Sequence, residues 1–425
     1  MAESPARAPF EPCRSACPEC GRVLPATVSE EGGALFLTRD CPEHGRRKTL
    51  WRKDAAFYRE LTRIVRPAAT HDLPHLVDVN DAKIIAVDLT EDCNLRCPVC
   101  FTAAGSRPTT QIDADYLLSR LAALPHRRLE IALLGGEPTL HPDLPRLVRE
   151  ILRMGFRLKL LTNGLRFEDP GYAAQLREAG LQWVIYQFDG LDRATYLTLR
   201  GRDLLDLKLR VLQTMTDLKF KVCLAVMVVA GVNDGQLGEL LRFGFRQPAV
   251  HHIALLPGSP LGRNTMDLSA EHLHAEDVME LIAAQTDAHI TRADWLRTAR
   301  FMQRVYRVTG NIDYRQRVCF FSMPLVGDAD DFIPAVRLTR PWEWPRYAAY
   351  LSKAPFILRN FSAIDQGRMP GHFLYLSIEK MYGAGAMHIE DNGQCNTLYL
   401  TPDGFVPSCL YNALYRRERP SCVAC

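Results

Sequence analysis

No apolar run in the 425 residues is long enough to span a bilayer, so a transmembrane helix is not expected. The first dozen residues carry Pro and Glu without an apolar core, which argues against a secretory signal. Charge of one sign is also scarce. A net charge of +3 is too small to imply nucleic acid or an anionic membrane as partner. Short basic stretches such as Arg46-Arg47-Lys48 therefore read as solvated faces. The chain does hold thirteen cysteines, but they fall in short-spaced groups, as metal ligands do, rather than suggesting disulfides. A reducing cytoplasm is the expected setting. At 47% hydrophobic, a chain of this length can bury a large core, as one main domain with smaller additions.

After a Pro- and Ala-rich start comes a repeated pentapeptide, Cys17-Pro18-Glu19-Cys20-Gly21 and Cys41-Pro42-Glu43-His44-Gly45. Each half reads as a metal knuckle, a tight turn presenting two ligands while the Gly relieves backbone strain. Gly32-Gly33 between them separates Leu24–Val28 from Ala34–Thr38, consistent with a small hairpin. A rubredoxin- or zinc-ribbon-like domain over 13–50 is expected, with Cys17, Cys20 and Cys41 as ligands and either His44 or Cys13 as the fourth. Zinc and iron both accept such a set.

Residues 51–66 read as a helix ended by Pro67, and 67–82 as a linker. From Lys83 strands alternate with amphipathic helices. Strands are expected near 83–90, 128–134, 156–162, 182–188, 220–229 and 249–256. Helices are expected near 112–124, 143–154, 171–179, 203–217 and 234–244. Six such units imply an α/β fold with a parallel sheet, closed into a curved, partly open (β/α)6 barrel over 83–260. Ligands in such folds bind at the carboxyl ends of the strands. Helical periodicity returns over 270–308, and 309–425 reads as irregular, with five cysteines in a C-terminal region taken as 261–425.

The first strand runs into Cys93-Asn94-Leu95-Arg96-Cys97-Pro98-Val99-Cys100-Phe101, a C-x3-C-x2-C array. Three thiolates on one loop can hold three irons of a 4Fe–4S cube, and with no fourth cysteine nearby one iron stays open. A zinc site or an electron-carrying cluster is the blander reading. The second strand ends in Gly135-Gly136-Glu137-Pro138, where glycines let the backbone approach a ligand and a carboxylate could receive an ammonium. Asn163 stands at the end of the third strand and Gln187 and Asp189 at the end of the fourth. Alternation puts Gln187 and Asp189 on one face and Tyr186 and Phe188 on the other, so the polar pair should face the cavity. A helix cap is the simpler role for Asp189, and a turn for Asn163. Gly231-Val232-Asn233-Asp234 follows the fifth strand as a turn and cap. His251 and His252 face opposite ways and read as packed or hydrogen-bonded, and Cys223 as a core thiol.

The cysteine array followed by Gly135–Pro138 resembles the radical S-adenosylmethionine (radical SAM) superfamily. With the knuckle pair, Leu199-Arg200-Gly201, Gly231–Asp234 and Pro407-Ser408-Cys409-Leu410-Tyr411-Asn412, the chain is similar to the branch that includes tetraether lipid synthase and pterin methyltransferase-like proteins. The resemblance implies a SAM-chelating 4Fe–4S cluster on Cys93, Cys97 and Cys100, with SAM held by Gly135–Pro138, Asn163, Gln187, Asp189 and Asn233. It implies a small electron donor such as flavodoxin or ferredoxin, a 5′-deoxyadenosyl radical, and hydrogen abstraction from an unactivated C–H bond. Cys395, Cys409, Cys422 and Cys425 resemble a twitch or SPASM module, implying an auxiliary 4Fe–4S cluster in which Cys319 could replace one ligand. A mononuclear iron or zinc belongs to the N-terminal knuckles. The implied substrate is a lipid alkyl chain, with peripheral membrane contact, or else a peptide or small metabolite. The aromatic stretch from Pro341 to Leu358 would suit an apolar channel, or an ordinary core. A non-catalytic electron carrier would leave Gly135–Pro138 and the Gln187/Asp189 pair unexplained.

Overall fold

The computed structural model describes residues 13–65, 79–105, 110–266, 273–339, 342, 373–392 and 395–416. The N-terminal part is a four-stranded antiparallel sheet of β1 (Cys13–Ala16), β2 (Val23–Glu31), β3 (Ala34–Cys41) and β4 (Gly45–Arg52). Gly32 and Gly33 join β2 to β3 with φ of +57° and +80°. A two-residue turn of that hand matches the strand twist and favours glycine. Helix α1 (Ala55–Val65) begins later than position 51, because Trp51 and Arg52 finish β4 and Asp54 accepts a bond from Phe57 N–H at 2.8 Å. The extended pairing of Arg52 with Leu35 outcompetes the helical pattern there.

All six expected strands form, as β5 (Ile84–Asp88), β7 (Glu130–Leu134), β8 (Arg157–Thr162), β9 (Trp183–Gln187), β10 (Lys221–Val228) and β11 (Val250–Pro257). Each pairs in parallel with the next. Between them run α2 (Ala114–Ala122), α3 (Leu144–Arg153), α4 (Pro170–Glu178), α6 (Leu205–Asp217) and α7 (Leu237–Arg246). An additional α5 (Arg193–Arg200) precedes α6, capped by Asp192, whose carboxylate accepts from Thr195 N–H. It stops at Gly201, whose φ of +71° suits a glycine C-cap. Helices α8 (Ala275–Gln285) and α9 (Arg292–Thr309) follow, as periodicity over 270–308 suggests.

The tail is less irregular than its sequence implies. It supplies β13 (Phe320–Gly327), β14 (Phe332–Pro334), β15 (Phe373–Glu379), β16 (Thr397–Thr401) and β17 (Gly404–Pro407). These extend the same sheet at both ends, in the order β14-β13-β15-β11-β10-β9-β8-β7-β5-β16-β17. Almost every residue of β13 and most of β15 are buried, so neither shows the two-residue alternation that marks a half-exposed strand. A pair of two-residue strands, β6 (Val99–Cys100) and β12 (Arg263–Asn264), lies outside this sheet.

Tyr382, just past β15, packs in one apolar cluster with Cys409, just past β17. Eight strand spacings separate β15 from β17 in the sheet order, about 38 Å if flat. The sheet must therefore curl strongly, bringing its two ends together.

Candidate functional site

The N-terminal knuckles bring four ligand atoms together. Those of Cys17, Cys20, Cys41 and His44 all lie within 4.8 Å of one another. Cys20 Sγ stands 3.8 Å from Cys41 Sγ, and His44 Nδ1 is 3.5 Å from Cys41 Sγ and 3.8 Å from Cys17 Sγ. A zinc–sulfur bond of about 2.3 Å gives a tetrahedral edge of about 3.8 Å, so the residues fit a single tetrahedral ion. Cys13 is not part of the group. Its thiol points across the β1–β2 pair to the Ala26 carbonyl at 3.5 Å.

The Cys93–Cys100 loop leaves β5 and is clamped from two sides. On one side β6 pairs with β12, Cys100 opposite Arg263. Arg263 Nε donates to the Cys97 carbonyl at 2.8 Å and Thr265 N–H to the Pro98 carbonyl at 3.1 Å. On the other side Gly136 N–H bonds Thr90 O and Glu137 N–H bonds Asp92 O, both at 2.7 Å. A Cβ on Gly136 would stand 2.1 Å from Asp92 O, and one on Gly135 2.6 Å from Thr90 O at a φ of +127°. The glycine pair is thus required by the approach of two loops. Cys97 is buried and Cys93 and Cys100 half-buried, packed with Leu95, Tyr196 and Leu204. Burial pushes the Cys93 thiol up to about 12, with the other two thiols adding to the rise. Leu95 N–H and Asn163 Nδ2 nevertheless point at Cys93 Sγ, at 3.5 and 3.9 Å. Converging thiols with N–H donors aimed at sulfur fit a cluster that holds its ligands as thiolates.

Several expected ligand groups are engaged inside the protein. Glu137 is buried; Oε1 accepts from the Thr139 hydroxyl and the Thr162 hydroxyl, both at 2.6 Å, and Oε2 from Asn163 N–H at 2.8 Å. This corrects the expectation that its carboxylate is open to an ammonium: it ties the end of β8 to the glycine loop, while Gly135 and Gly136 stay half-exposed and Pro138 is buried. Asn163 donates to Asn94 Oδ1 at 2.7 Å and accepts from Leu165 N–H at 2.9 Å, so it makes its turn and also reaches the cysteine loop.

Tyr186 and Phe188 do face the helices, where Phe188 stacks on Phe243 with ring centroids 5.4 Å apart. Opposite them, Asp189 is not the free carboxylate expected. It is fully buried, and Arg200 Nε and Nη2 donate to its two oxygens at 2.6 Å each. Gln187 Nε2 donates to the same carboxylate. The cap for the next helix is Asp192 instead. Asn233, expected among the residues holding SAM, is buried and bridges strand ends: Oδ1 accepts from Val229 N–H, and Nδ2 donates to Asp189 O and Met227 O. The two histidines are packed and bonded, His251 edge-on to Trp183 and His252 Nε2 2.8 Å from Ser377 Oγ. Cys223 is a buried thiol, its pKa raised by desolvation.

Residue-by-residue reading missed Lys208 and gave Arg200 no role. Lys208 shares the buried face of α6 with Val211, Leu212 and Met215, so a lysine on an apolar helical stripe was the available signal.

A third cysteine group forms from segments far apart in the chain. Cys319 precedes β13, Cys395 precedes β16 and Cys409 follows β17. Cys409 feels the thiols of Cys319 and Cys395, Cys319 feels that of Cys395, and burial raises both. The Tyr382 backbone works the other way and lowers the Cys409 pKa. Phe101, next to Cys100, and Leu261 belong to the same apolar cluster, so this group borders the Cys93–Cys100 loop. Cys422 and Cys425 lie outside the described residues.

Comparison with known proteins gives two family matches, the radical SAM superfamily over residues 87–244 and the HMPTM N-terminal zinc ribbon domain over residues 10–52. The chain is 32% identical over 303 residues to 7,8-dihydro-6-hydroxymethylpterin dimethyltransferase of Methanocaldococcus jannaschii, covering 66% of this chain and 60% of that one. It is 31% identical over 169 residues to a probable GTP 3',8-cyclase of Pyrococcus abyssi, covering 39% of this chain and 54% of the relative. The chain thus spans somewhat over half the length of these relatives. Among solved structures, Streptococcus suis SuiB bound to precursor peptide SuiA aligns over 64% of this chain and 69% of that one, with 14% identity and a TM-score of 0.40. The cysteine loop after β5 therefore lies within the segment that matches the radical SAM superfamily, and the paired knuckles within the segment that matches the zinc ribbon.

Proposed function

We propose that this chain is a radical SAM enzyme that modifies a small heterocyclic metabolite of the pterin type. The observation that carries the chemistry is the clamp between the Cys93–Cys100 loop and Gly135–Glu137, with Asn163 reaching both Asn94 and Cys93. The substrate class rests on similarity to the pterin dimethyltransferase. Cys93, Cys97 and Cys100 would hold the cluster, and the half-exposed Gly135–Gly136 backbone would meet the amino end of SAM. The bound cluster and SAM supply a 5′-deoxyadenosyl radical able to take hydrogen from an unactivated carbon. The protein's part is to fix the loop, bury it among Leu95, Tyr196 and Leu204, and hold the reacting carbon close.

Cys319, Cys395 and Cys409, with one of Cys422 and Cys425, are the ligands we assign to an auxiliary 4Fe–4S cluster. A small electron donor such as flavodoxin or ferredoxin would serve the SAM cluster. Cys17, Cys20, Cys41 and His44 would hold one zinc or iron.

A lipid alkyl chain is the other substrate the family resemblance implies. Of the stretch from Pro341 to Leu358 only Trp342 is described, and it is 74% exposed, which suits contact with something apolar. Anaerobic incubation of reconstituted protein with SAM and a reductant decides between them. A 6-hydroxymethyl-dihydropterin deuterated at its carbons should pass label to 5′-deoxyadenosine; transfer from chain-deuterated lipid alone would replace the pterin reading with the lipid one.

A further inference from the structure

Lys208 is fully buried, and desolvation lowers its pKa from 10.5 to about 7, yet its amine meets oxygen acceptors on every side that it can donate to. Its Nζ donates to Asn163 O at 2.6 Å, Gln187 O at 2.7 Å and Gln187 Oε1 at 2.8 Å, and sits 4.7 Å from the centroid of the Tyr186 ring. An ammonium has three N–H donors and here finds three oxygen acceptors, whereas a neutral amine would leave one of those oxygens without a donor. The charged groups bearing on it are Asp189 at the end of β9, Arg200 of α5, Glu137 after β7 and Cys97 of the loop.

These contacts form one continuous buried chain. Lys208 holds the Gln187 amide oxygen, and the Gln187 amide nitrogen donates to Asp189. Arg200 makes a two-point contact with Asp189 and, at 3.4 Å, reaches the Val99 carbonyl of the cysteine loop, where its charge bears on the Cys97 thiol. Within that chain the Asp189–Arg200 pair is neutral, and the ammonium form of Lys208 adds a positive charge that is faced by the buried Glu137 carboxylate. Adding an electron to a cluster adds negative charge, and buried cations and hydrogen bonds to ligand sulfur make that easier.

We propose that Lys208 is a positioning residue for the SAM cluster, acting through Gln187, Asp189 and Arg200 on the Cys97 ligand to ease reduction of the cluster. This rests on the radical SAM reading of the cysteine loop. It also gives Gln187 and Asp189 a task other than contacting SAM.

The test is an EPR-monitored redox titration of the reconstituted full chain, following the signal that changes when SAM is added. In Lys208→Met the ratio of reduced to oxidised cluster at a fixed potential should fall about tenfold, equivalent to a midpoint lower by about 59 mV for one electron. Lys208→Arg should restore most of it. If Lys208→Met loads too little cluster, Lys208→Gln, which keeps two donors without the charge, should show the same fall. An unchanged midpoint in a variant that loads its cluster overturns the proposal and leaves Lys208 a structural residue. A wild-type protein with no SAM-sensitive signal overturns the radical SAM reading itself.

Discussion

At the scale of single residues, close approach of backbones sets the strictest demands. Gly136→Ala places a methyl 2.1 Å from the Asp92 carbonyl, and that atom belongs to the cysteine loop. Overpacking of this kind costs about 1–3 kcal/mol, with the loop displaced as the strain is relieved. The variant should melt earlier and load less iron at the SAM cluster, as read by calorimetry and iron analysis. Gly231 makes a useful contrast. It also has a positive φ, +69°, but nothing lies within 4 Å of the place a methyl would occupy. Gly231→Ala should carry only the strain of a left-handed residue, about 1 kcal/mol, and leave iron content unchanged. Equal loss of iron in both variants would show that backbone strain, not contact with the loop, governs loading.

Much of this residue-scale chemistry was legible and some was not. The cysteines could be read because ligand spacing is local. Engagement of Asp189 by Arg200, and of Glu137 by Thr162 and Asn163, could not, because it depends on which neighbouring elements meet at the strand ends. A carboxylate looks the same in sequence whether it faces a ligand or a buried arginine.

At the scale of elements, the N-terminal ribbon is tied to the tail. Trp51 stacks on His388 at 4.8 Å, Arg14 pairs with Glu390 at 3.1 Å, and buried Arg52 meets Tyr382 and Asp391. Replacing Cys17, Cys20 and Cys41 by Ala should remove about one zinc or iron per chain, leaving the iron of the SAM cluster in place. It should also make the segment around residues 382–392 cleave faster under limited proteolysis. Unchanged metal content would exclude the ribbon as a metal site.

Strand β11 carries a pH dependence of its own. Burial, with Lys221 nearby, lowers the His251 pKa from 6.5 to about 4. Below pH 6.5 the unfolded chain binds a proton that the folded chain refuses, so stability should fall as pH drops from 6.5 toward 4. His251→Gln should flatten that part of the stability–pH curve. An unchanged slope would mean that other groups control it. Existence and order of the six parallel strands were readable because half-regular β/α alternation is a local pattern. The strands β13 and β15 escaped because burial on both faces erases alternation.

At the scale of the whole molecule, the curl of the sheet gathers segments from both ends of the chain around one region. Cys319, Cys395 and Cys409 come from three separate strand ends, and Phe101 joins them to the SAM-type loop. If they share a cluster, Cys409→Ala should lower total iron by about four atoms per chain while SAM-dependent spectral changes persist. Loss of the SAM response as well would indicate that the two cysteine groups load as one unit.

Strand β5 pairs on one side with β7 and on the other with β16, and its last residue, Asp88, meets Arg416 328 residues downstream. At roughly 5–20 residues per second on the ribosome, some tens of seconds pass between synthesis of the two. Through that interval one edge of β5 has no partner strand, and an apolar strand edge left open invites pairing with another chain. The part of the fold that carries the cysteine loop is thus the part most in need of protection while the protein is being made.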